Sequence, residues 1–210
     1  MTHFSTTAGS DFAAGRGRFA PLGTYGSRLL AALVITTLLG VPAFGKTRAR
    51  IVVSAQGDRY HMALSMVLKT PLRRVWHILS DYAAIKRLNP DVIRSEVIHH
   101  DGQTLLRMRI KSCVLFICFP VTQTEAMTRH KPFEIKGTII PALSSFRGGF
   151  SRWRLSPVKG GTRVSFKAVL TPSFYIPPIL DSWLIKRKLR TEMRTTARHL
   201  VAWATRSHKG

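Results

Sequence analysis

Across most of the chain after residue 56, apolar residues recur at every second position, and that period narrows the possible architectures more than any other feature. Met62, Leu64, Met66 and Leu68 alternate, as do Leu106, Met108 and Ile110, then Phe133, Ile135 and Ile139, then Val164, Phe166, Ala168 and Leu170. Successive side chains of a strand point to opposite faces, so each run describes a strand with one apolar face. Turn-forming residues separate the runs at short intervals: Gln56-Gly57-Asp58, Thr70-Pro71, Asn89-Pro90-Asp91, Asp101-Gly102, Lys131-Pro132, Gly148-Gly149, Lys159-Gly160-Gly161 and Thr171-Pro172. Such spacing favours strands that follow one another antiparallel.

Two regions break the pattern. Residues 71–92 read as helical, with Thr70 as N-cap, Pro71 at the first helical position, and Leu72, Val75, Trp76 and Leu79 on one face. Asp81 is placed to cap a second short helix towards Leu88. Residues 178–206 carry Ile185, Leu189, Met193, Leu200 and Trp203 at helical spacing, which predicts a long amphipathic C-terminal helix. The expected order is strand, helix pair, about six strands and a terminal helix. This is an α+β fold: a curved antiparallel sheet whose apolar face only the last helix is long enough to cover, with an internal cavity between them.

Charge and the N-terminal segment bear on where such a domain acts. The 210 residues include 33 Lys+Arg against 10 Asp+Glu, a formal charge of +23, yet 45% are apolar, and general disorder is a poor account of such a chain. Arg28 opens the uncharged run Leu29–Leu39, followed by Gly40, Val41, Pro42 and the small-x-small sequence Ala43-Phe44-Gly45. A basic flank, a short apolar core and a small-residue exit read as a secretory signal peptide over residues 1–45, removed or retained as an anchor. Leu29–Leu39 falls short of the roughly 20 apolar residues that span a bilayer. Residues 46–210 would then be one exported domain in the periplasm or envelope of a bacterium. Setting aside the leader's three basic residues and one acidic residue leaves it at +21.

The stretch from Ser65 to Tyr82, with Pro71 at the helix start, Val75-Trp76 and the Leu79-Ser80-Asp81-Tyr82 turn, followed by Leu88-Asn89-Pro90-Asp91, resembles the START-like superfamily. Its helix-grip members include polyketide cyclases and coenzyme Q-binding proteins, and the resemblance extends from about Arg59 to Trp203. It implies a cavity for a lipid, an isoprenoid such as a quinone, or a polyketide. The residues expected to line that cavity are Met66, Met108, Ile110, Phe133, Ile135, Phe150, Trp153, Phe166, Trp183, Leu189 and Met193. Polarizable methionines and broad aromatic rings suit a flexible apolar ligand, although the same residues would serve equally in a filled core.

Catalytic chemistry is less legible. The carboxylates after residue 45 are scattered, and Glu125, in a strand with Gln123 and Met127 on the same face, is the only candidate acid for a cavity. No nucleophile–base constellation, glycine-rich phosphate loop or metal-ligand spacing accompanies it, so no metal or cofactor is expected. His99-His100 reads as a solvent-facing pair before a turn. Cys113 and Cys118 would lie on opposite faces of one straight strand; if Val114–Ile117 turns a hairpin they become cross-strand neighbours able to form a disulfide, and otherwise they are free thiols. The apolar turn residues would then be a membrane-dipping or lid loop, or simply core.

Arg187, Arg190, Arg194 and Arg198 share one stripe of the terminal helix, and Glu192 is the only acid from Lys186 onward. Uncompensated charge at that spacing suits an anionic membrane surface, although a solvated face is the plainer reading. The expectation is therefore an exported protein that binds or transfers a hydrophobic small molecule or lipid at an anionic envelope membrane. Its rivals are a cyclase or aromatase acting through Glu125, and an RNA- or ribosome-binding module, which would require the leader to be misread. With export, no nucleic-acid partner is expected.

Overall fold

The structure, a computed structural model, describes residues 48–114, 117–176, 180 and 182–206. The expected leader, residues 1–45, lies outside the described residues. Eight strands form one antiparallel sheet: β1 (Arg50–Gln56), β2 (Arg59–Leu68), β3 (Val92–His100), β4 (Gln103–Val114), β5 (Ile117–His130), β6 (Glu134–Ile139), β7 (Phe146–Val158) and β8 (Gly161–Pro172). Their spatial order is β1-β2-β8-β7-β6-β5-β4-β3, so β3 to β8 run as a meander and the β1–β2 hairpin adds to its far side along β8. The run Arg50–Gln56 escapes the alternation rule because it has a weak pattern, with Val53 as its one buried residue.

Helix α1 (Leu72–Ser80) and a 3-10 segment (Tyr82–Arg87) connect β2 to β3. Asp81 caps the 3-10 segment as expected, its carboxylate accepting from the Ala84 amide at 3.2 Å. Thr70 does not cap α1. Pro71 is the capping residue, and its carbonyl accepts from the Arg74 and Val75 amides at 3.0 and 3.3 Å. Thr70 is instead buried, its carbonyl accepting the Thr162 hydroxyl of β8 at 2.7 Å, which ties the helix entry to the sheet.

Helix α2 (Ser182–Thr205) contacts β1, β2, β4 and α1, and thus lies across the concave face from one edge region of the sheet to the other. One half of that concave face is packed core, with Leu68, Val75, Val164, Leu200 and Ala204 all nearly inaccessible. The β3–β4 turn shows why its sequence is Asp-Gly. Asp101 and Gly102 both hold positive φ, 49° and 72°, the backbone of a two-residue hairpin whose twist matches the strands it joins. Among the described residues, no helix is long and apolar enough to cross a membrane.

Candidate functional site

The other half of the concave face does not close. Between the sheet, the 3-10 segment and α2 lies a cavity of about 270 Å³, near the lower end of the about 300–1,000 Å³ usual for small-molecule sites. Strand parity decides what lines it. Met62 and Leu64 of β2, Leu106, Met108 and Ile110 of β4, and Phe166, Ala168 and Leu170 of β8 all project inward. Ile135, Trp153 and Phe166 stand in one row across β6, β7 and β8, the two rings 4.4 Å apart between centroids. From α2 come Ile185, Leu189, Glu192, Met193 and Thr196, a single helical face.

Of the eleven residues expected to line a cavity, Met108, Ile110, Ile135, Trp153, Phe166, Leu189 and Met193 do so. The other four do not. Met66 shares the inward face of β2 but lies within the closed core, at 2% exposure. Phe133 precedes β6 in the turn from β5, its amide donating to the His130 carbonyl, and turn residues do not continue a strand's alternation; it is 53% exposed. Phe150 is an odd number of positions from Trp153 on the same strand, so it points to the convex face, where the Arg152 guanidinium lies 5.7 Å from its ring. Trp183 is two residues, or roughly 200° of helix, from the inward Ile185; it is 55% exposed beneath the Arg187 guanidinium.

One cluster of polar groups lies on the sheet side of this largely apolar cavity. Glu125 is 2% exposed. Its Oε1 accepts from Gln123 Nε2 and its Oε2 from Ser151 Oγ, each at 3.0 Å. Burial pushes the Glu125 carboxyl above the usual carboxylate range, against the opposing pull of the Ser151 and Gln123 hydrogen bonds. Gly137 on β6 makes the space: a Cβ there would collide with Glu125 Oε2 and stand 2.8 Å from Ser151 Oγ. Tyr82 also lines the cavity, 6% exposed, with a buried hydroxyl that has no hydrogen-bond partner among the described residues. Burial raises its pKa, with the nearby Arg129 opposing and Glu125 reinforcing.

A second polar group stands where α2 faces the start of β3. Lys188 Nζ meets Asp91 Oδ2 at 2.6 Å and Glu192 Oε1 at 3.1 Å, tying the helix to the segment before β3. Burial raises the Glu192 carboxyl, opposed by the Lys188 charge. Glu192 is therefore engaged on the inward side of α2 and does not neutralise the arginines. Arg187, Arg194 and Arg198 are exposed, Arg190 is half-buried, and none of the four pairs with a carboxylate among the described residues. Cys113 and Cys118 are directly opposite each other on β4 and β5 and are joined by a disulfide. Val114 and Phe119, beside them, line the cavity, while Leu115 and Phe116 of the apolar turn lie outside the described residues. His99 and His100 are both exposed, and among the described residues no cluster of His, Cys, Asp or Glu could hold a metal ion.

The sequence reading missed Ser151, Gly137 and Tyr82 as parts of the polar group. Two were within reach of simple parity, since Ser151 shares the inward face with Trp153 and Gly137 with Ile135. Tyr82 had no such signal, because a 3-10 segment after a helix has no period long enough to read.

The architecture is that of the START-like helix-grip proteins. A STAR-related lipid transfer protein from Xanthomonas axonopodis superposes with a TM-score of 0.57 at 17% identity, covering 75% of this chain and 94% of that one. A START superfamily protein from Mycobacterium smegmatis gives 0.54 at 13% identity, covering 69% and 96%. A di-domain ARO/CYC from the steffimycin biosynthetic pathway gives 0.53 at 13% identity, covering 70% of this chain; the chain spans only 50% of that protein's length. Residues 59–204 match the family described as polyketide cyclase / dehydrase and lipid transport, and the chain belongs to it. No curated protein matches it in sequence.

Proposed function

We propose that this chain binds and transfers a hydrophobic small molecule, a lipid or an isoprenoid such as a quinone, and that it does so as an exported protein at an anionic envelope membrane. The apolar cavity between the sheet and α2 carries the reading. Each 100 Å² of ligand apolar surface moved from water into that space contributes roughly 2.5 kcal/mol, with no covalent chemistry required. The uncompensated outer stripe of α2 and the expected leader support the membrane location. Native mass spectrometry of protein purified from its own envelope tests it. The expected result is a mass lacking the leader, with an extractable apolar ligand. Protein that retains residues 1–45 in the cytoplasm, and yields no lipid on extraction, overturns it.

One observation favours a second reading, a cyclase-type enzyme. Glu125 is an acid inside the cavity, and burial holds its proton to higher pH than usual, a property suited to general acid or base work. That reading requires a turnover on a polyketide-like substrate that Glu125→Gln abolishes while ligand binding persists.

A further inference from the structure

Strand β4 carries cations on the side that faces away from the cavity. In Leu106-Arg107-Met108-Arg109-Ile110 the apolar residues line the cavity, so Arg107 and Arg109 project from the convex face of the sheet. Register brings two β3 residues beside them: Arg94 lies directly opposite Arg109, and Glu96 directly opposite Arg107. On the other side of β4, Thr122 of β5 pairs with Arg109. These residues and Leu143 surround a hollow of about 400 Å³ that shares no lining residue with the cavity. Its Leu143 wall is held in place. The buried Thr124 hydroxyl donates to the Leu143 carbonyl at 2.7 Å, and the Thr124 amide donates to Ser144 Oγ at 2.9 Å.

Charge in this hollow is unbalanced. Glu96, the one carboxylate in its lining, pairs with Arg94, and neither Arg107 nor Arg109 meets an acid among the described residues. Like charges directly opposite on adjacent strands are destabilising, yet Arg94 and Arg109 stand so. An anion seated between them removes that repulsion. Three guanidiniums less one carboxylate leave an excess of two positive charges. A phosphomonoester carries nearly two negative charges at neutral pH and presents three acceptor oxygens, which the planar forks of arginine match in pairs. A carboxylate or a phosphodiester, with one charge, neutralises only half of the excess.

We infer that this convex hollow is a binding site for a phosphomonoester, held chiefly by Arg107 and Arg109, with Arg94 and the Thr122 hydroxyl completing its contacts. The site is independent of what the cavity on the other face of the sheet holds.

Calorimetry at fixed ionic strength tests it with inorganic phosphate, glycerol 3-phosphate and acetate, on the full chain and its variants. Both phosphates are expected to bind at least roughly tenfold tighter than acetate, and the double variant Arg107→Gln, Arg109→Gln to weaken them roughly ten- to a hundredfold. Losing Arg109 relieves its repulsion with Arg94, so this variant should melt no lower than the native protein, which separates a lost site from a lost fold. Glu96→Gln frees Arg94 for the anion and should tighten phosphate binding about two- to fivefold. The α2 variant Arg187→Gln, Arg194→Gln, Arg198→Gln should bind glycerol 3-phosphate as the native protein does. Vesicles of phosphatidic acid and of phosphatidylglycerol, matched in surface charge, identify the source of the group. A preference for phosphatidic acid that the double variant loses assigns the site to a lipid headgroup; glycerol 3-phosphate binding without that preference assigns it to a soluble ester. Equal affinity for phosphate and acetate overturns the site. So does phosphate affinity that is unchanged in the double variant, falls in Glu96→Gln, or is lost in the α2 variant.

Discussion

Burial away from solvent raises the Glu125 carboxyl above the usual carboxylate range, and the hydrogen bonds from Ser151 and Gln123 oppose that shift without cancelling it. The consequence for stability has a definite sign. In the unfolded chain the carboxyl ionises in the ordinary carboxylate range, whereas burial raises it in the folded protein. Below the unfolded value both states are protonated and the folded state loses nothing. As pH rises towards the folded value, the unfolded chain has released a proton that the folded protein still holds, so stability falls. Glu192 is shifted the same way and contributes a second part of that slope. Urea unfolding between pH 4 and 8 should therefore show Glu125→Gln gaining on the native protein as pH rises; parallel curves would show that the carboxyl is not held neutral. Gly137 is the complementary residue. Gly137→Ala places a methyl against Glu125 Oε2 and Ser151 Oγ, and should cost about 1–3 kcal/mol by overpacking a closed site, measured by the same unfolding. Glu125 itself was legible in the sequence through its parity with Gln123 and Met127. Its upward shift was not, since that depends on burial against Ser151 and the gap at Gly137, on two strands brought alongside only by folding.

At the scale of elements, the strands were legible wherever their apolar face was complete. β2, β4 and β8 alternate along much of their length and were read directly. β1 has one buried residue and escaped. Errors at the site arose where a period was extended past an element's end, as at Phe133, or where parity was disregarded, as at Phe150. The sequence leaves the hairpin of β4 and β5 open, because Cys113 and Cys118 permit a bridge only if the chain turns between them. The register places them opposite each other, and the bridge closes a loop of six residues. Chain-entropy scaling gives such a loop about 2 kcal/mol of stabilisation. Unfolding of the double variant Cys113→Ser, Cys118→Ser should show a loss of that order, and reductant should reproduce it in the native protein but leave the variant unchanged. If reductant shifts neither, the bridge does not stabilise the fold.

At the scale of the molecule, the question is where the excess positive charge lies. The stripe on α2 accounts for four arginines, and it faces away from the cavity because Arg187, Arg190, Arg194 and Arg198 lie on the side opposite Ile185 and Leu189. Strand register adds a second cationic row on the convex face of the sheet, Lys136, Arg152 and Lys167 directly opposite one another, with Glu134 near Arg152 at 3.8 Å and Arg154 at 2.6 Å. Of these two rows, the α2 stripe is the one without an acidic partner among the described residues, and it lies beside the exposed Trp183. The triple variant Arg187→Gln, Arg194→Gln, Arg198→Gln should weaken binding to phosphatidylglycerol vesicles on the order of a hundredfold, at about 1 kcal/mol for each charge near the surface. Native binding should fall as salt rises, and Trp183 emission should shift to the blue on contact; unchanged vesicle affinity in the variant would move the docking face elsewhere. The sequence alone determined that this chain builds a one-faced antiparallel sheet covered by a long helix, because periods of two and 3.6 residues are local properties that each segment carries by itself. Only the tertiary structure decided that half of the covered face closes as core while the other half stays open around Glu125. That outcome depends on how side chains from β5, β6, β7 and α2 share one volume, and no segment carries that information by itself.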